Sequence, residues 1–383
     1  MAVAVTTPAK AIAVPQAAAK GRVLAVDALR GIALAVMALE HAADLVGVGM
    51  IAETYLGKPS QLEGWTHWLS GLATNLAAPT FWFLSGVSIS LLEASRRKQG
   101  VSEWGITRFL LTRAAMITLL DLTLASWLWP DSQGNPHVLL SLAVGMAMLA
   151  VLRLIPIRIF TALTVALIAG YQTLAYFVPS QLMRGATFWQ ALWLAPGNDF
   201  FPAIQFPVLG WAGLMWLGYA LGTRLPSPFF RRPRGWVAVG GALLGLWLVL
   251  RVIGGYGDLM PYVAGQPRYY FFVMSKLPPS LTYLTFNLGL SMFVLAFLFT
   301  FDRLESIPFT WLVGFGQVSL FFFVIHPAIY RVLSQVILAL HLPGPRIAHA
   351  YLTWLVGLAF LIPLTRAYRT LRRRYPRSIL RYL

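Results

Sequence analysis

Arg30, His41 and Asp44 lie in one largely apolar stretch and carry side chains that can bind an anion, move a proton and orient an imidazole. His41 lies eleven positions after Arg30, which is close to three helical turns. In a helix, both side chains would therefore project from one face, about 16 Å apart. Asp27 lies within a turn of Arg30. The residues alone leave a second interpretation open, in which Asp27 and Arg30 form a simple ion pair and His41 is a structural histidine.

Six further polar residues occur in or beside apolar segments and could line the same site. They are His67, Asn75, Asp121, Lys276, Asn287 and His326. His67 stands beside two tryptophans, where a lone histidine is more often a membrane anchor than a catalyst. The histidines lack the i, i+4 spacing and carboxylate partner of a zinc-binding helix, so the sequence predicts no metal site.

The elements that position these residues must be membrane helices. Of the 383 residues, 58% are hydrophobic and only 11% are charged, whereas soluble domains carry roughly 25% charged residues. Apolar runs of about 20 residues recur along the chain, each long enough to cross roughly 30 Å of hydrocarbon. The chain has no cysteine, which excludes a disulfide framework, a thiolate metal site and a cysteine nucleophile. The predicted fold class is all-α, a polytopic integral membrane bundle of about ten transmembrane helices.

Ten apolar segments are the candidate spans. They cover residues 24–46, 66–92, 107–128, 137–153, 157–178, 203–224, 236–254, 280–301, 311–338 and 349–370. The predicted organisation has three parts: a disordered cytoplasmic lead at 1–22, a transmembrane domain at 23–371 and a basic cytoplasmic tail at 372–383.

The basic residues set the predicted orientation. With the N-terminus in the cytoplasm, 22 of the 30 lysines and arginines fall in cytoplasmic loops and tails, as the positive-inside rule requires. The net charge of +17 is thus typical of membrane orientation, and no nucleic-acid partner is expected, because the basic residues form short clusters between apolar runs. Most of the candidate residues, from His41 to His326, would then lie near the extracytoplasmic side. A buried unpaired charge costs roughly 2.5 to 3.5 kcal/mol, so they should face a protein interior or a wet cavity.

Several short segments occur in a specific order along the chain. They are Val26–Gly31 with Met37 and His41; Trp65–His67 leading to Ala78–Pro79 and Phe83–Gly86; Phe206–Pro207 to Trp211 with Gly218–Gly222; Lys276 to Ser280; and Phe315–Gly316 to His326. This order resembles the bacterial relatives of the heparan-α-glucosaminide N-acetyltransferase catalytic domain, within the wider superfamily of transmembrane acyltransferases. The resemblance runs from about Arg22 to the ninth candidate span. The spacing of Arg30 and His41 is also similar to the R-x10-H pattern of the related acyltransferase-three family.

The resemblance implies an enzyme, a membrane acyltransferase that moves an acetyl or other short acyl group from cytoplasmic acyl-CoA to an extracytoplasmic amino-sugar or glycan acceptor. Acyl-CoA would be the co-substrate, and the expected partners are a saccharide, membrane lipid and, as one option, a second copy of the chain. The location implied is the bacterial inner membrane.

The resemblance and the spacing together suggest roles for the residues. His41 or His67 would be the acid/base or acyl-carrying group. His67, the nearest counterpart of the family's catalytic histidine, is narrowly favoured, with His41 holding the site in shape, and Asp44, one turn from His41, would orient His41. Arg30 and Asp27 would serve acyl-CoA binding. Asn75, Asp121, Lys276, Asn287 and His326 would bind the acceptor or the developing oxyanion. The rival interpretation is a transporter or carrier of a lipid-linked or small polar substrate, in which buried charges bind the substrate at midplane.

Overall fold

The structure is a computed structural model, and it describes residues 23–49, 53–55, 64–128, 134–178, 184–301 and 310–382. Helices dominate these residues, and the two strands that they contain are short. The predicted lead at 1–22 lies outside the described residues.

Fourteen α-helices and two strands follow one another in the described residues. They are α1 (Leu24–Leu45), β1 (Glu53–Tyr55), α2 (Trp65–Asn75), α3 (Ala77–Lys98), α4 (Glu103–Leu120), α5 (Ser126–Leu128), α6 (Val138–Leu152), α7 (Ile157–Tyr176), α8 (Phe188–Trp193), α9 (Val208–Gly222), α10 (Pro233–Ile253), β2 (Met274–Leu277), α11 (Leu281–Leu298), α12 (Thr310–Gln317), α13 (Ser319–Ala339) and α14 (Arg346–Arg374). A π-helical turn at Asp121–Ala125 joins α4 to α5.

These helices confirm the predicted all-α membrane bundle. Within the part of the chain that the structure describes, seven continuous helical stretches are long and apolar enough to cross a membrane, and α6 and α9 are shorter apolar helices. Together with the 22-residue α1, they coincide with the ten candidate spans. The second and ninth candidates are each built from two consecutive helices, α2 with α3 and α12 with α13.

Close crossings of α1 with α12 and of α3 with α9 hold the centre of the bundle together. A Cβ atom at Gly31 would overlap the backbone of Leu312, and one at Gly316 would overlap the backbone of Asp27. A Cβ atom at Gly86 of α3 would likewise overlap the backbone of Met215 in α9. Only glycine allows backbones to approach so closely, and small residues serve this purpose in membrane helix packing.

The loop between α10 and α11 is organised around a buried arginine. Arg251 forms an ion pair with Asp258 at 2.5 Å and donates to the carbonyl oxygens of Phe271, Tyr270 and Val273 at 2.7 to 2.9 Å. The loop ends in β2, which pairs in parallel with β1. This arrangement fixes the backbone that carries Lys276.

Candidate active site

A cavity of about 640 Å³ opens between α1, α3, α4, α12 and the end of α14, within the usual range of ligand pockets. Four arginines line it, namely Arg30, Arg96, Arg113 and Arg372. Among the described residues of its wall, Asp27 is the one carboxylate. The cavity therefore has an excess of positive charge and suits an anionic ligand.

Arg30 connects three helices at the inner wall of this cavity. Its guanidinium donates to Asp27 in its own helix and to the carbonyl oxygen of Gly316, both at 3.0 Å. It also donates to the carbonyl oxygen of Leu84 at 3.3 Å and to the hydroxyl of Ser88. Asp27 and Arg30 thus form an ion pair that also lines the cavity, and their part in acyl-CoA binding stays a prediction.

Arg113 differs from Arg30 in its surroundings. Among the residues that the structure describes, its buried Nε has no hydrogen-bond partner and its guanidinium makes no ion pair. Arg372, within electrostatic range of Arg113, donates to the carbonyl oxygen of Gln317 at 3.4 Å. Arg113 is only partly buried and lines the cavity, so its charge is placed to meet an anion brought by a ligand.

A pair of histidines joins α1 to α13 farther along α1. The Nδ1 atom of His41 lies 2.8 Å from the Nε2 atom of His326. The Nδ1 atom of His326 lies 3.0 Å from the carbonyl oxygen of Phe322. His326 is fully buried, whereas His41 is partly exposed. Two positions 285 residues apart in sequence thus form one hydrogen-bonded unit.

An ion pair lies directly beside His41. The ammonium of Lys276 is 3.2 Å from the carboxylate of Glu40, and both side chains are largely buried. Lys276 is also within electrostatic range of the His41 ring, as is His137. The predicted convergence of Lys276 and His326 on His41 is therefore present in the geometry, and Glu40 joins the same cluster.

Asn75 and Asn287 are both buried near Tyr283. The hydroxyl of Tyr283 donates to the backbone carbonyl of Asn75 at 3.2 Å, and the amide of Asn287 donates to the carbonyl of Tyr283 at 2.9 Å. Neither polar atom of the Asn75 side chain has a partner among the described residues, and the same is true of Asn287 Oδ1. These atoms keep hydrogen-bonding capacity for a polar ligand.

Asp121 has a contact with an evident structural function. Its Oδ2 accepts hydrogen bonds from the backbone nitrogens of His137 and Leu140, at 2.9 and 2.8 Å. These groups belong to the start of α6, whose first nitrogens have no partners within the helix. Asp121 thus caps α6 from another element, and its acceptor role stays a prediction.

His67 and Asp44 lie nearer the ends of their helices. His67 is in the first turn of α2, partly buried, and its Nδ1 has no hydrogen-bond partner in the described part of the chain. Asp44 is in the last turn of α1 with an exposed side chain. The described partner of His41 Nδ1 is His326, and the orienting role of Asp44 stays a prediction.

The comparisons with known proteins bear on the first two thirds of the chain. A family model described as the catalytic region of heparan-alpha-glucosaminide N-acetyltransferase matches residues 22–267. The chain belongs to this family. A comparison with curated proteins gave no match.

Membership of the heparan-alpha-glucosaminide N-acetyltransferase family indicates a membrane acetyltransferase. The matched segment contains Arg30, Arg113, His41 and His67, whereas Lys276 and His326 follow it. The family region therefore supplies most of the cavity and one histidine of the pair. The remainder of the bundle supplies the second histidine and the lysine.

Sequence reasoning missed four members of the two clusters. Glu40 joins the histidine cluster, and Arg96, Arg113 and Arg372 line the cavity. Glu40 carried a usable signal, since a carboxylate inside an apolar span needs a partner. Arg113 and Arg372 were counted only as cytoplasmic charges, and nothing in their local sequence distinguishes them from the exposed arginines.

Proposed function

We propose that the protein transfers a short acyl group, acetyl in the simplest case, from acyl-CoA to the amine or hydroxyl of a saccharide acceptor. The observation that carries the proposal is the placement of two polar sites at opposite ends of α1. One end of this helix lines a cavity rich in arginine, and its other end presents a histidine paired with a second histidine. Arg30 and His41 are about 16 Å apart along the helix, which suits an extended donor with an anionic head and a reactive far end.

The donor binds with its phosphates in the arginine-lined cavity. Arg113 and Arg372 neutralise phosphate charge, and Arg30 forms the wall past which the pantetheine arm runs toward His41. Guanidinium groups suit this task because they hold phosphate oxygens through paired hydrogen bonds. The excess of arginine over carboxylate in the wall supports this assignment.

His41 acts as the general base. As the acceptor's nitrogen or oxygen attacks the thioester carbonyl, His41 takes the proton that the acceptor loses. The carbon–sulfur bond then breaks, and His41 returns the proton to the departing sulfur, so the products are the acylated acceptor and CoA. The sequence favoured His67 for this role, and the pairing with His326 is what moves our proposal to His41.

Lys276 stabilises the oxyanion that forms on the thioester carbonyl, and Glu40 holds its ammonium in place. The amides of Asn75 and Asn287 bind hydroxyl groups of the acceptor. Their unpartnered polar atoms in the described structure support this assignment.

The proposed location is a bacterial cytoplasmic membrane, with both termini and the arginine-lined cavity on the cytoplasmic side. The cysteine-free chain allows a direct test by single cysteines at two exposed positions. Arg234→Cys should resist an impermeant thiol reagent applied from outside, and Asn198→Cys should react with it. The opposite labelling pattern would reverse the orientation and remove the assignment of the donor to the cytoplasm.

Binding of the donor is the first test of the function. CoA should raise the melting temperature of the purified full-length protein, and acetyl-CoA should be consumed when a panel of amino sugars is added, with one acetylated product per CoA released. An unrelated nucleotide such as GTP at the same concentration is the control. Absence of both the CoA shift and acetyl-CoA turnover would contradict the proposal.

A further inference from the structure

We infer that His326 is a positioning residue that sets the tautomer of His41 and never touches a substrate. The inference rests on the proposed function for its catalytic consequence, but its structural part stands on hydrogen bonds alone. It also differs from the expectation that His326 binds the acceptor.

The hydrogen on His326 is fixed by the backbone of α13. A carbonyl oxygen only accepts hydrogen bonds, so the contact between His326 Nδ1 and the oxygen of Phe322 requires the hydrogen to be on Nδ1. Phe322 lies four residues before His326, so this contact is made within α13 itself.

The state of His326 determines that of His41. A neutral imidazole carries one N–H, so His326 Nε2 has a lone pair and must accept from His41 Nδ1 at 2.8 Å. His41 Nδ1 then holds its hydrogen, and the lone pair of His41 is on Nε2. The ring planes are 19° apart with centroids 5.1 Å apart, which suits an end-to-end hydrogen bond between nearly coplanar rings.

The hydrogen bonds of His326 leave no polar atom for an acceptor. Its Nδ1 is engaged by the oxygen of Phe322 and its Nε2 by His41, and the rings of Phe322, Phe323 and Tyr330 lie 5.6 to 6.2 Å from its own. His326 thus acts through His41, as a buried carboxylate acts through a catalytic histidine elsewhere. When His41 Nε2 takes the acceptor's proton, the positive charge on its ring is stabilised by the hydrogen bond from Nδ1 to His326.

The first test measures the tautomer of His41 by NMR, because a purely structural role of His326 would leave that tautomer unchanged. In protein labelled with ¹⁵N-histidine, the imidazole nitrogens of His41, assigned by comparison with His41→Gln, should show the hydrogen on Nδ1 and the lone pair on Nε2. In His326→Met, which keeps the length but removes the acceptor, this preference should be lost. A wild-type His41 with its hydrogen on Nε2 overturns the inference, and so does an unchanged tautomer in His326→Met.

The second test is rescue by a conservative variant. His326→Met should lower kcat about a hundredfold or more, since a wrong tautomer removes the base, with little change in the KM values. His326→Gln, whose carbonyl oxygen can accept from His41, should recover at least a tenth of the wild-type kcat. His341→Gln, on an exposed loop, is the matched control and should leave kcat unchanged.

The outcomes distinguish this inference from the proposed function. If wild-type protein transfers no acyl group but His41 has the expected tautomer, the proposed function fails and the positioning role remains. If acyl transfer occurs and His326→Met keeps full kcat, the positioning role fails and the function remains. A large loss in both His326→Met and His326→Gln that appears in the acceptor KM would instead make His326 a binding residue and overturn the inference.

Discussion

The two ends of α1 differ in how their polar groups are balanced. Around Arg30, positive charge exceeds negative charge, and Arg113 has no ion pair with any residue that the structure describes. Around His41, the polar groups satisfy one another through the bond to His326 and the neighbouring pair of Glu40 and Lys276. The first region is completed by a charged ligand, whereas the second is organised before any ligand arrives.

This difference matches the needs of two separate tasks. Binding an anion benefits from cations that the protein itself leaves uncompensated, although they cost stability. Proton transfer benefits from groups whose orientation is fixed in advance, because little reorganisation is then needed during the reaction. The comparison predicts that substitutions in the cavity change binding and that substitutions beside His41 change rate.

The largest effect is expected for the histidine itself. His41→Gln should lower kcat by two to four orders of magnitude, as loss of a general base generally does (about 10²- to 10⁴-fold), while the thermal shift produced by CoA stays unchanged. Steady-state kinetics with acetyl-CoA and the best acceptor measures it. His67→Gln is the matched variant and should retain kcat to within about tenfold. A greater loss in His67→Gln than in His41→Gln would return the base to His67.

The next effect concerns the stability of the region around His41. Lys276→Met leaves the carboxylate of Glu40 largely buried without its cation, and breaking such a pair costs about 3 to 5 kcal/mol. A lower melting temperature in detergent is therefore expected. The double variant Glu40→Gln and Lys276→Met should regain much of this loss, because no uncompensated charge remains. A double variant less stable than Lys276→Met would show that the two residues act independently.

A substitution in the cavity should weaken CoA binding without lowering stability, in contrast to Lys276→Met. Arg113→Gln should weaken CoA binding by about 1 to 3 kcal/mol, roughly 5- to 150-fold in Kd, because one charge-assisted contact is lost. The melting temperature without ligand should not fall, since Arg113 forms no ion pair with any described residue and none is lost. Isothermal titration with CoA gives the first quantity and a thermal scan the second. Arg231→Gln, on an exposed loop, is the control, and an equal loss of affinity there would make the effect one of general charge.

Substitution of Arg30 should lower both the affinity for CoA and the stability of the protein. Arg30→Ala removes a cation from the cavity wall and also removes one hydrogen-bond donor from Asp27 and one from the carbonyl of Gly316. We expect weaker CoA binding together with lower stability, because buried acceptors that lose their partner cost about 1 to 3 kcal/mol each. Normal affinity in a folded variant would leave Arg30 as a structural connection between helices only.

The smallest effect is expected at Asp121. Asp121→Ala removes the cap from α6 and should lower stability by about 0.5 to 2 kcal/mol. Because the carboxylate bonds to backbone nitrogens, the acceptor KM should stay unchanged. Kinetics across the acceptor panel checks this, and a raised KM with normal stability would support the acceptor role suggested by the sequence.

The sequence was sufficient for the helices but insufficient for the partners within the site. Apolar runs of the length of a membrane crossing are a local signal, so the candidate spans coincide with the observed helices. The bond between His41 and His326 joins positions 285 residues apart, and no local pattern encodes it. Arg153 shows the same limit, since the sequence placed it among cytoplasmic loop charges. It is fully buried and pairs with Glu93 at 2.9 Å and Glu103 at 2.6 Å.

In our proposal, the two ends of α1 serve donor binding and proton transfer separately. This separation is tested most directly by measuring kcat and the acetyl-CoA KM for wild type, Arg113→Gln and His41→Gln side by side. We predict that Arg113→Gln raises KM with kcat near the wild-type value, and that His41→Gln lowers kcat with KM unchanged. The account is contradicted if both substitutions change the same parameter, or if neither changes the rate at which acetyl-CoA is consumed.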